Sequence, residues 1–592
     1  MLGSGAEGAV RSARRLTIRP VPSKHRREPS AAATRPVPPE KTSAAAHAGG
    51  GDERSERPRW LVPALVGLFA LVAISNAWTC DDAYILYRVA DNFANGYGLR
   101  WNVAERVQVF TCPLWQLVLC VAHSVTREAY FTGLVLCLAA SVGAFWLIVS
   151  RGARTAWQAV FAGIALTVSK AFVDYSTSGL ENALMFLLLA GFALLALREG
   201  TEGGAEAVAE GEARGWWRRP LALSLVASLV LLNRLDALLL VGPVLGAVLV
   251  RSMRVRTAAV LAAGQAPLLL WLVFALVYYG FMLPNTYYAK LNTDYPASML
   301  IPRGLNYLHN SLAWDPITLT MIALGVAAGV LSRRLIPVAL AAGVVLYVAY
   351  VVKIGGDFMS GRFLTAPLVV SVVVLLRSAP ARLPRQAWMV GAVAATVLGL
   401  VMPRSPVGSG MDGDGPARAW VDIKQWDRIA DERRFYAPGS WLTALLYEPT
   451  RGQHVTRTNV FDNFRGLPDG TVLVVANIGY RGYYAGPGVY FIDPYALADP
   501  LLARIMPRLR DDFHPGHLGR AIPFGYQETL ETGRNVIKDP ELARFYDRLC
   551  VVTRGPIWSG ERWRTIVGMM RGEYDDLIIH DRYRLPPRGG GR

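Results

Sequence analysis

LWQLVLCVAHSV, residues 114–125, is the stretch on which the fold of this chain turns. It is apolar enough to be counted as a membrane crossing, and counting it so would invert every loop that follows. Laid on the outer surface as a helix, it leaves Arg151 with Arg154, Arg214 to Arg219, Arg251 to Arg256, Arg333 with Arg334, and Arg377 to Arg385 on the same side as the Arg-rich N-terminal tail. Positive residues are retained on the cytoplasmic side of a membrane, so the charges select the surface helix.

Around this stretch, apolar runs recur at 60–78, 130–150, 156–173, 181–197, 220–232, 237–250, 257–280, 315–332, 335–352, 363–377 and 386–402. They predict a polytopic all-α membrane bundle of about eleven transmembrane helices plus juxtamembrane helices. With the tail inside, the loops left outside are WTCDDAYILYRVADNFANG (78–96), STSGLEN (176–182), NRLD (233–236), LPNTYYAK (283–290) and KIGGDFMSGRF (353–363). The runs flanking NRLD are shorter than the roughly 20 residues of a full crossing, so this turn is expected below the outer surface. Irregular backbone at that depth must line a cavity.

Composition agrees with a bundle at 60–402 followed by a soluble domain at 403–592. A mean hydropathy of +0.27, with 52% hydrophobic and 18% charged residues over 592 positions, is too apolar for an ordinary soluble protein and too charged for one that is all membrane. The net charge of +17 is not a nucleic-acid footprint, because the basic residues concentrate in the tail and the connectors. Residues 1–59 lack hydrophobic periodicity and read as a disordered cytoplasmic tail, with no apolar h-region to mark a cleaved signal. Five cysteines without CxxC or His/Cys metal spacing argue against a zinc site and a disulfide scaffold. Cys80 and Cys112 could pair if both are exported. His454, His514 and His517 have no metal-ligand spacing and read as surface or acceptor-facing.

After 403 the apolar runs stop. MPRSPVGSGMDGDGPARAW (402–420) reads as a linker into an extracytoplasmic domain of about 170 residues, long enough for its own core. In that domain AWVDIKQWDRIADERRF (419–435) reads as an amphipathic helix and TVLVVANIGY (471–480) as a buried strand. WSGERWRTIVGMMR (558–571) reads as a helix after a Ser cap. A small α/β domain follows.

Asp81 and Asp82, adjacent carboxylates at a membrane exit, cost desolvation energy and suggest chemistry, although Asp is also common at helix caps. The run DDAYILYRVADNFANGYGLRWNVAERVQVFTCPLW (81–115) resembles the first extracytoplasmic loop of GT-C glycosyltransferases, in particular the terminal β-(1→2)-arabinofuranosyltransferase group. The resemblance continues through SGLEN, LLNRLDALLL, YYGFMLPNTYYAKL, GGDFMSGRFL, NIGYRGYYAGPGVYFIDPYALADP and HPGHLGRAIPFGY. It implies a multi-pass plasma-membrane enzyme that takes a sugar from a polyprenyl phosphate outside the cytoplasm. For this group it implies a decaprenyl-phosphoryl arabinofuranose donor, a cell-envelope arabinan acceptor, and a catalytic acid in the Asp81–Asp82 pair.

The residues agree with that chemistry. A transition state resembling an oxocarbenium ion at the anomeric carbon calls for a nearby carboxylate as base, nucleophile or electrostatic stabiliser. A β-linked donor giving a β-linked product would require retention. The leaving phosphate needs a cation, for which Arg362, Lys290 and Arg88 are candidates, unless they reach to headgroups instead. Glu181, in a second acidic loop, is a possible ligand for a divalent cation or a helix-start carboxylate. Arg234 and Asp236 either close their own turn as an ion pair or reach the acceptor. Asn285, Tyr287 and Tyr288 suit sugar contacts or an aromatic belt. Asp357 suits sugar hydroxyls or the positioning of Arg362, and Tyr483 and Tyr484 suit stacking on a glycan or an ordinary glycine turn. The same mechanism with another sugar, such as mannose onto a lipid or protein, is the nearest alternative. A transporter or flippase is disfavoured because no internal repeat is evident and the carboxylates sit at one mouth.

Overall fold

The computed structural model describes residues 57–198, 215–291, 293–380, 383–408, 421, 423–442, 464–508, 513 and 516–584. Most of the tail expected at 1–59 and the histidines at 454 and 514 lie outside the described residues. Helices α1 (Leu61–Ser75), α2 (Asp81–Ala94), α3 (Pro113–Thr126), α4 (Tyr130–Leu147), α5 (Ala156–Val168), α6 (Lys170–Asp174) and α7 (Asn182–Ala196) come first. They are followed by α8 (Arg218–Asn233), α9 (Leu238–Ser252), α10 (Val255–Gly264), α11 (Ala266–Tyr279), α12 (Asn285–Leu291) and α13 (Ala297–Trp314). The membrane part closes with α14 (Pro316–Leu331), α15 (Leu335–Lys353), α16 (Thr365–Ser378) and α17 (Arg385–Val401).

Every apolar run read from the sequence folds as helix, but the full spans are fewer than the runs. By length and composition, three described helical segments can cross a membrane, Tyr130–Gly152, Leu235–Ser252 and Leu335–Lys353, or up to five if two bent pairs each count as one. The expectation of about eleven spans is met in part, because several apolar helices are only 10–17 residues long. One bent pair is α10 with α11, which turn by 53°. At the bend Gln265 leaves helical geometry and Pro267, in the first turn of α11, has no amide hydrogen to continue the ladder. The other pair is α13 with α14, bent by 109°. The sequence reading did not foresee α13.

Residues 114–125 form α3, a two-sided helix. Trp115, Gln116, Leu119, Cys120 and His123 are buried while Leu117, Val121 and Val125 are exposed. Its His123 Nε2 lies 3.1 Å from Asp91 Oδ1 on α2, so Asp91 has a protein partner.

The C-terminal part contains parallel strands β1 (Val472–Val474) and β2 (Tyr490–Ile492), with Val472 opposite Tyr490, and a helix, Ile478–Ala485, in the crossover. Helices Tyr526–Thr532, Pro540–Arg554 and Gly560–Met570 follow, the last capped by Ser559 as its sequence predicts. The stretch 419–435 is not one helix among its described residues. Asp427 and Arg428 adopt positive φ, Ala430 pairs with Met359, and a new helix, Glu432–Ser440, starts after that break. The end of the apolar runs does not end the packing: Ile478, Tyr480, Val489 and Phe491 share one buried core with Trp78, Tyr84 and Trp101.

Candidate active site

The loops that the sequence reading groups on one side meet at a cavity of about 280 Å³. Its wall includes Asp82 from the first turn of α2, Glu181 from the cap of α7, and Arg234 and Asp236 from the turn between α8 and α9. Tyr287 and Lys290 on α12, and Asp357 and Arg362 from the loop between α15 and α16, add to the polar lining. Leu283, Tyr350 and Phe363 are among the apolar residues between them.

Glu181 is the electrostatic centre. Arg234 Nη1 donates to its Oε1 at 2.7 Å and Arg362 Nη2 donates to the same oxygen at 3.1 Å. Burial alone would raise this carboxyl, but the two guanidiniums outweigh it and hold it at about 2. Arg234 also forks onto Asp236, at 2.9 and 2.7 Å, closing its own turn. Arg362 Nη1 lies 3.8 Å from Asp357 Oδ2 and 4.0 Å from Asp82 Oδ2, so one cation stands among three carboxylates. Its Nε and the Oδ2 of Asp357 have no hydrogen-bond partner among the described residues. Burial raises the Asp357 carboxyl despite Arg362 and Lys290 nearby. Lys290 opens into the cavity yet is enclosed by protein, which lowers its ammonium against the pull of Asp82 and Asp357.

The adjacent aspartates divide. Asp81 is buried, and its two carboxylate oxygens accept the amides of Gly479 at 3.1 Å and Tyr480 at 2.9 Å, capping the helix Ile478–Ala485. Burial, with Asp82 alongside, pushes its carboxyl up to about 6 against the two amides. Asp82 is half-buried and lines the cavity.

Other residues singled out in the sequence stand elsewhere. Arg88 donates to the carbonyls of Trp101, Gly482 and Val489 and stacks 4.2 Å from the Trp101 ring. It joins α2 to the C-terminal part, and burial lowers it to about 9. Asn285 donates to the carbonyls of Ala496, Leu497 and Asp499, and Arg504 sits 3.6 Å over the Tyr288 ring, so these two residues brace α12 against the later chain. Tyr483 and Tyr484 pack around Tyr84, with ring centroids 5.3 and 5.9 Å away. Cys80 and Cys112 are free, buried thiols.

Sequence reasoning missed Glu432. Ala430 pairs with the 357–360 loop, Ser360 N donating to Ala430 O at 2.9 Å and Ala430 N donating to Phe358 O at 2.7 Å. Asp431 then bonds Lys170 and Arg404, each at 3.2 Å, and Arg433 bonds Asp174 at 2.7 Å. Between these locked neighbours Glu432 is buried. Desolvation, with Asp82, Asp81 and Asp357 near it, raises its carboxyl well above the usual range. The charged run DERR (431–434) is the available signal, and it lies within the stretch that reads from sequence as an amphipathic helix.

An apolar cavity of about 540 Å³ opens between α2, α3 and α11, lined by Phe93, Leu117, Leu270, Trp271, Phe274 and Tyr278 among others. A small void lies between it and the polar cavity. Leu232 and Trp271 line both void and apolar cavity, and Thr111, Leu235 and Pro284 line both void and polar cavity.

Over 482 residues the chain is 28% identical to a terminal β-(1→2)-arabinofuranosyltransferase of Mycobacterium tuberculosis, covering 70% of this chain and 71% of the relative. The resemblance read from the sequence holds. A second terminal β-(1→2)-arabinofuranosyltransferase, from Corynebacterium glutamicum, is 27% identical over 364 residues, covering 55% of this chain and 52% of its own length. Both relatives carry the name of a glycosyltransferase, in agreement with the expectation of an enzyme of that kind. No family model matches the chain. Among solved structures, ArnT from Cupriavidus metallidurans bound to undecaprenyl phosphate aligns with a TM-score of 0.44 and 14% identity, over 73% of this chain and 85% of that one.

The divalent cation considered for Glu181 does not fit this donor set. Glu181 Oε1 already accepts two guanidiniums, and Arg362 occupies the position among Asp82, Glu181 and Asp357 that a cation would need. Among the described residues no three His, Cys, Asp or Glu side chains come together as a metal site.

Proposed function

We propose that this protein transfers a sugar from a polyprenyl-phosphate donor to an extracytoplasmic cell-envelope glycan, with arabinofuranose from decaprenyl-phosphoryl arabinofuranose as the sugar. The observation that carries the reading is Arg362 beside Asp82 in one cavity, a cation for the leaving phosphate next to a carboxylate for the reacting sugar. The arabinofuranose assignment follows the two relatives.

In the proposed reaction the bond from the anomeric carbon to the phosphate oxygen breaks and its electron pair leaves on the phosphate. Arg362 and Lys290 offset the charge that develops there. Arg362 suits a forked phosphate contact and Lys290 a point charge. Asp82 stabilises the cationic sugar, the acceptor hydroxyl oxygen bonds the anomeric carbon, and its proton passes to a carboxylate, for which Asp82 is the candidate. Glu181 positions Arg362 and Arg234 and makes no contact with the reacting atoms in this scheme. The apolar cavity, parted from the site by the small void whose wall it shares at Leu232 and Trp271, suits the polyprenyl chain.

The test is to offer purified protein radiolabelled decaprenyl-phosphoryl arabinofuranose and, separately, a polyprenyl-phosphoryl mannose, with an arabinan oligosaccharide as acceptor. Labelled arabinan from the first donor alone is the expected result. Transfer of mannose but not arabinose would overturn the sugar assignment.

A further inference from the structure

Glu432 stands beside Asp81 and Asp82 and has no part in the proposed transfer. Its helix, Glu432–Ser440, is pinned at both ends. At the start Ala430 pairs with the loop that carries Asp357 and Arg362, Ala430 N donating to Phe358 O at 2.7 Å. Asp431 caps the helix, its carboxylate accepting the amide of Arg434 at 3.2 Å. At the far end Ser440 Oγ accepts the amide of Thr79 at 3.4 Å, and Ser440 O accepts Tyr130 Oη at 2.8 Å. One turn after Glu432, on the same face, the Tyr436 ring lies 5.7 Å from that of Tyr480, whose amide bonds Asp81. The face that carries Glu432 is therefore laid between the Asp357 loop and the first turn of α2.

Glu432 is only 9% exposed, and among the described residues no hydrogen bond reaches its carboxyl. The cations around it are committed. Lys170 and Arg404 bond Asp431, Arg433 bonds Asp174, and Arg362 stands among Asp82, Glu181 and Asp357. The groups that face Glu432 are acids: Cys80, Asp81 and Asp82 from the start of α2, Asp357 from the loop, and Asp431 and Tyr436 from its own helix. A carboxyl so enclosed holds its proton well above the usual carboxylate range. Of the carboxylates Asp82 acts on it most strongly, ahead of Asp81 and Asp357. Asp81 already takes an amide on each oxygen. Asp82 takes no hydrogen bond within the described residues, and its ion-pair partner there, Arg362, is 4.0 Å away. A carboxylate that must meet a sugar in a defined pose needs a donor to hold it, and a protonated acid is such a donor.

We propose that Glu432 is a positioning residue for the transfer: as a carboxylic acid it donates its O–H to Asp82 and fixes the carboxylate that faces the reacting sugar. One oxygen of Asp82 is thereby taken, and the other is left for the sugar. The helix after the membrane part thus completes the site. This role rests on the proposed sugar transfer, whereas the protonated state of Glu432 does not.

The experiment compares the full chain with Glu432→Gln and Glu432→Leu at equal folded concentration, in initial rates of arabinose transfer from decaprenyl phosphate and in melting temperature. The Gln variant keeps a neutral N–H donor, and its turnover is expected within about threefold of the unsubstituted chain. The Leu variant keeps only the volume, and is expected to lose about tenfold or more in turnover with the donor KM moved less than about threefold. An acid held protonated in the folded state stabilises below its ordinary 4.5 and loses that contribution as the pH rises. The melting temperature of the Gln variant, relative to the unsubstituted chain, is therefore expected to rise between pH 4.5 and about pH 8. A loss of turnover in Glu432→Gln as deep as in Glu432→Leu makes Glu432 a working carboxylate and overturns the proposal. Undiminished turnover in Glu432→Leu overturns the positioning role, and a melting difference that stays flat or falls overturns the neutral acid. If the unsubstituted chain transfers no sugar, the proposed function falls and the positioning role with it, while the melting series still decides the protonated state.

Discussion

Arg362 donates to Glu181 Oε1 at 3.1 Å, across 181 residues of sequence, and the bond joins the loop before α16 to the cap of α7. Because Arg234 reaches the same oxygen, Glu181 fixes two guanidiniums at once. Both cations are then held at the cavity wall, facing the half-buried Asp82.

Replacing this carboxylate is therefore expected to be costly. Glu181→Gln leaves two largely buried guanidiniums without their shared counter-charge, and breaking such a pair costs about 3–5 kcal/mol. Thermal unfolding in detergent should show the loss. The carboxyl is held at about 2 against an ordinary 4.5, so its contribution is fully present above pH 4.5 and disappears as the pH falls from there to about 2. Stability attributable to Glu181 should be flat through neutrality.

Asp81 has the opposite sign. Its carboxyl is raised to about 6 from 3.8, so the folded state binds that proton more tightly than the unfolded chain does. Stability is lost as pH rises from 3.8 to about 6, by roughly 3 kcal/mol at most for a shift of this size. Asp81→Asn should flatten the pH dependence of the melting temperature in that window. It should also loosen the helix Ile478–Ala485, because Gly479 and Tyr480 each donate to a different carboxylate oxygen and the NH2 group that replaces one of them cannot accept. A pH series on both proteins checks this, and equal slopes would remove Asp81 from the explanation.

The two cations of the cavity should separate kinetically. Arg362→Lys keeps the charge but loses the fork, and is expected to lower turnover by about 10- to 1,000-fold. Lys290→Met is expected to act more on the donor KM, as a point charge that helps bind the phosphate in both ground and transition states. Initial rates against donor concentration distinguish the two outcomes.

Much of the helical part of the fold is written in the apolar runs, because a long periodic stretch has few alternatives in a membrane. The helix α13 escaped because Pro302, Arg303, Asn306 and His309 interrupt its apolar residues, although Ile301, Leu305 and Leu312 align once it is helical. The site was legible as a set of loops on one face, and Asp82, Glu181, Arg234, Asp357 and Arg362 do meet at one cavity. What local sequence does not contain is direction. Asp81 and Asp82 start the same helix, and only an amide pair 398 and 399 residues later turns the first into a cap and leaves the second at the cavity. Arg88 was similarly claimed by carbonyls at Gly482 and Val489. Glu432 stayed hidden because its burial depends on the ion pairs of Asp431 and Arg433 with distant residues.

The most direct measurement is transfer of radiolabelled arabinofuranose from decaprenyl phosphate to an arabinan oligosaccharide by the purified protein, compared with its Asp81→Asn and Asp82→Asn variants at equal folded concentration. The expected result is product from the unsubstituted chain, product reduced no more than about tenfold for Asp81→Asn, and loss of about 100-fold or more for Asp82→Asn. Undiminished transfer by Asp82→Asn would contradict the assignment of the catalytic carboxylate.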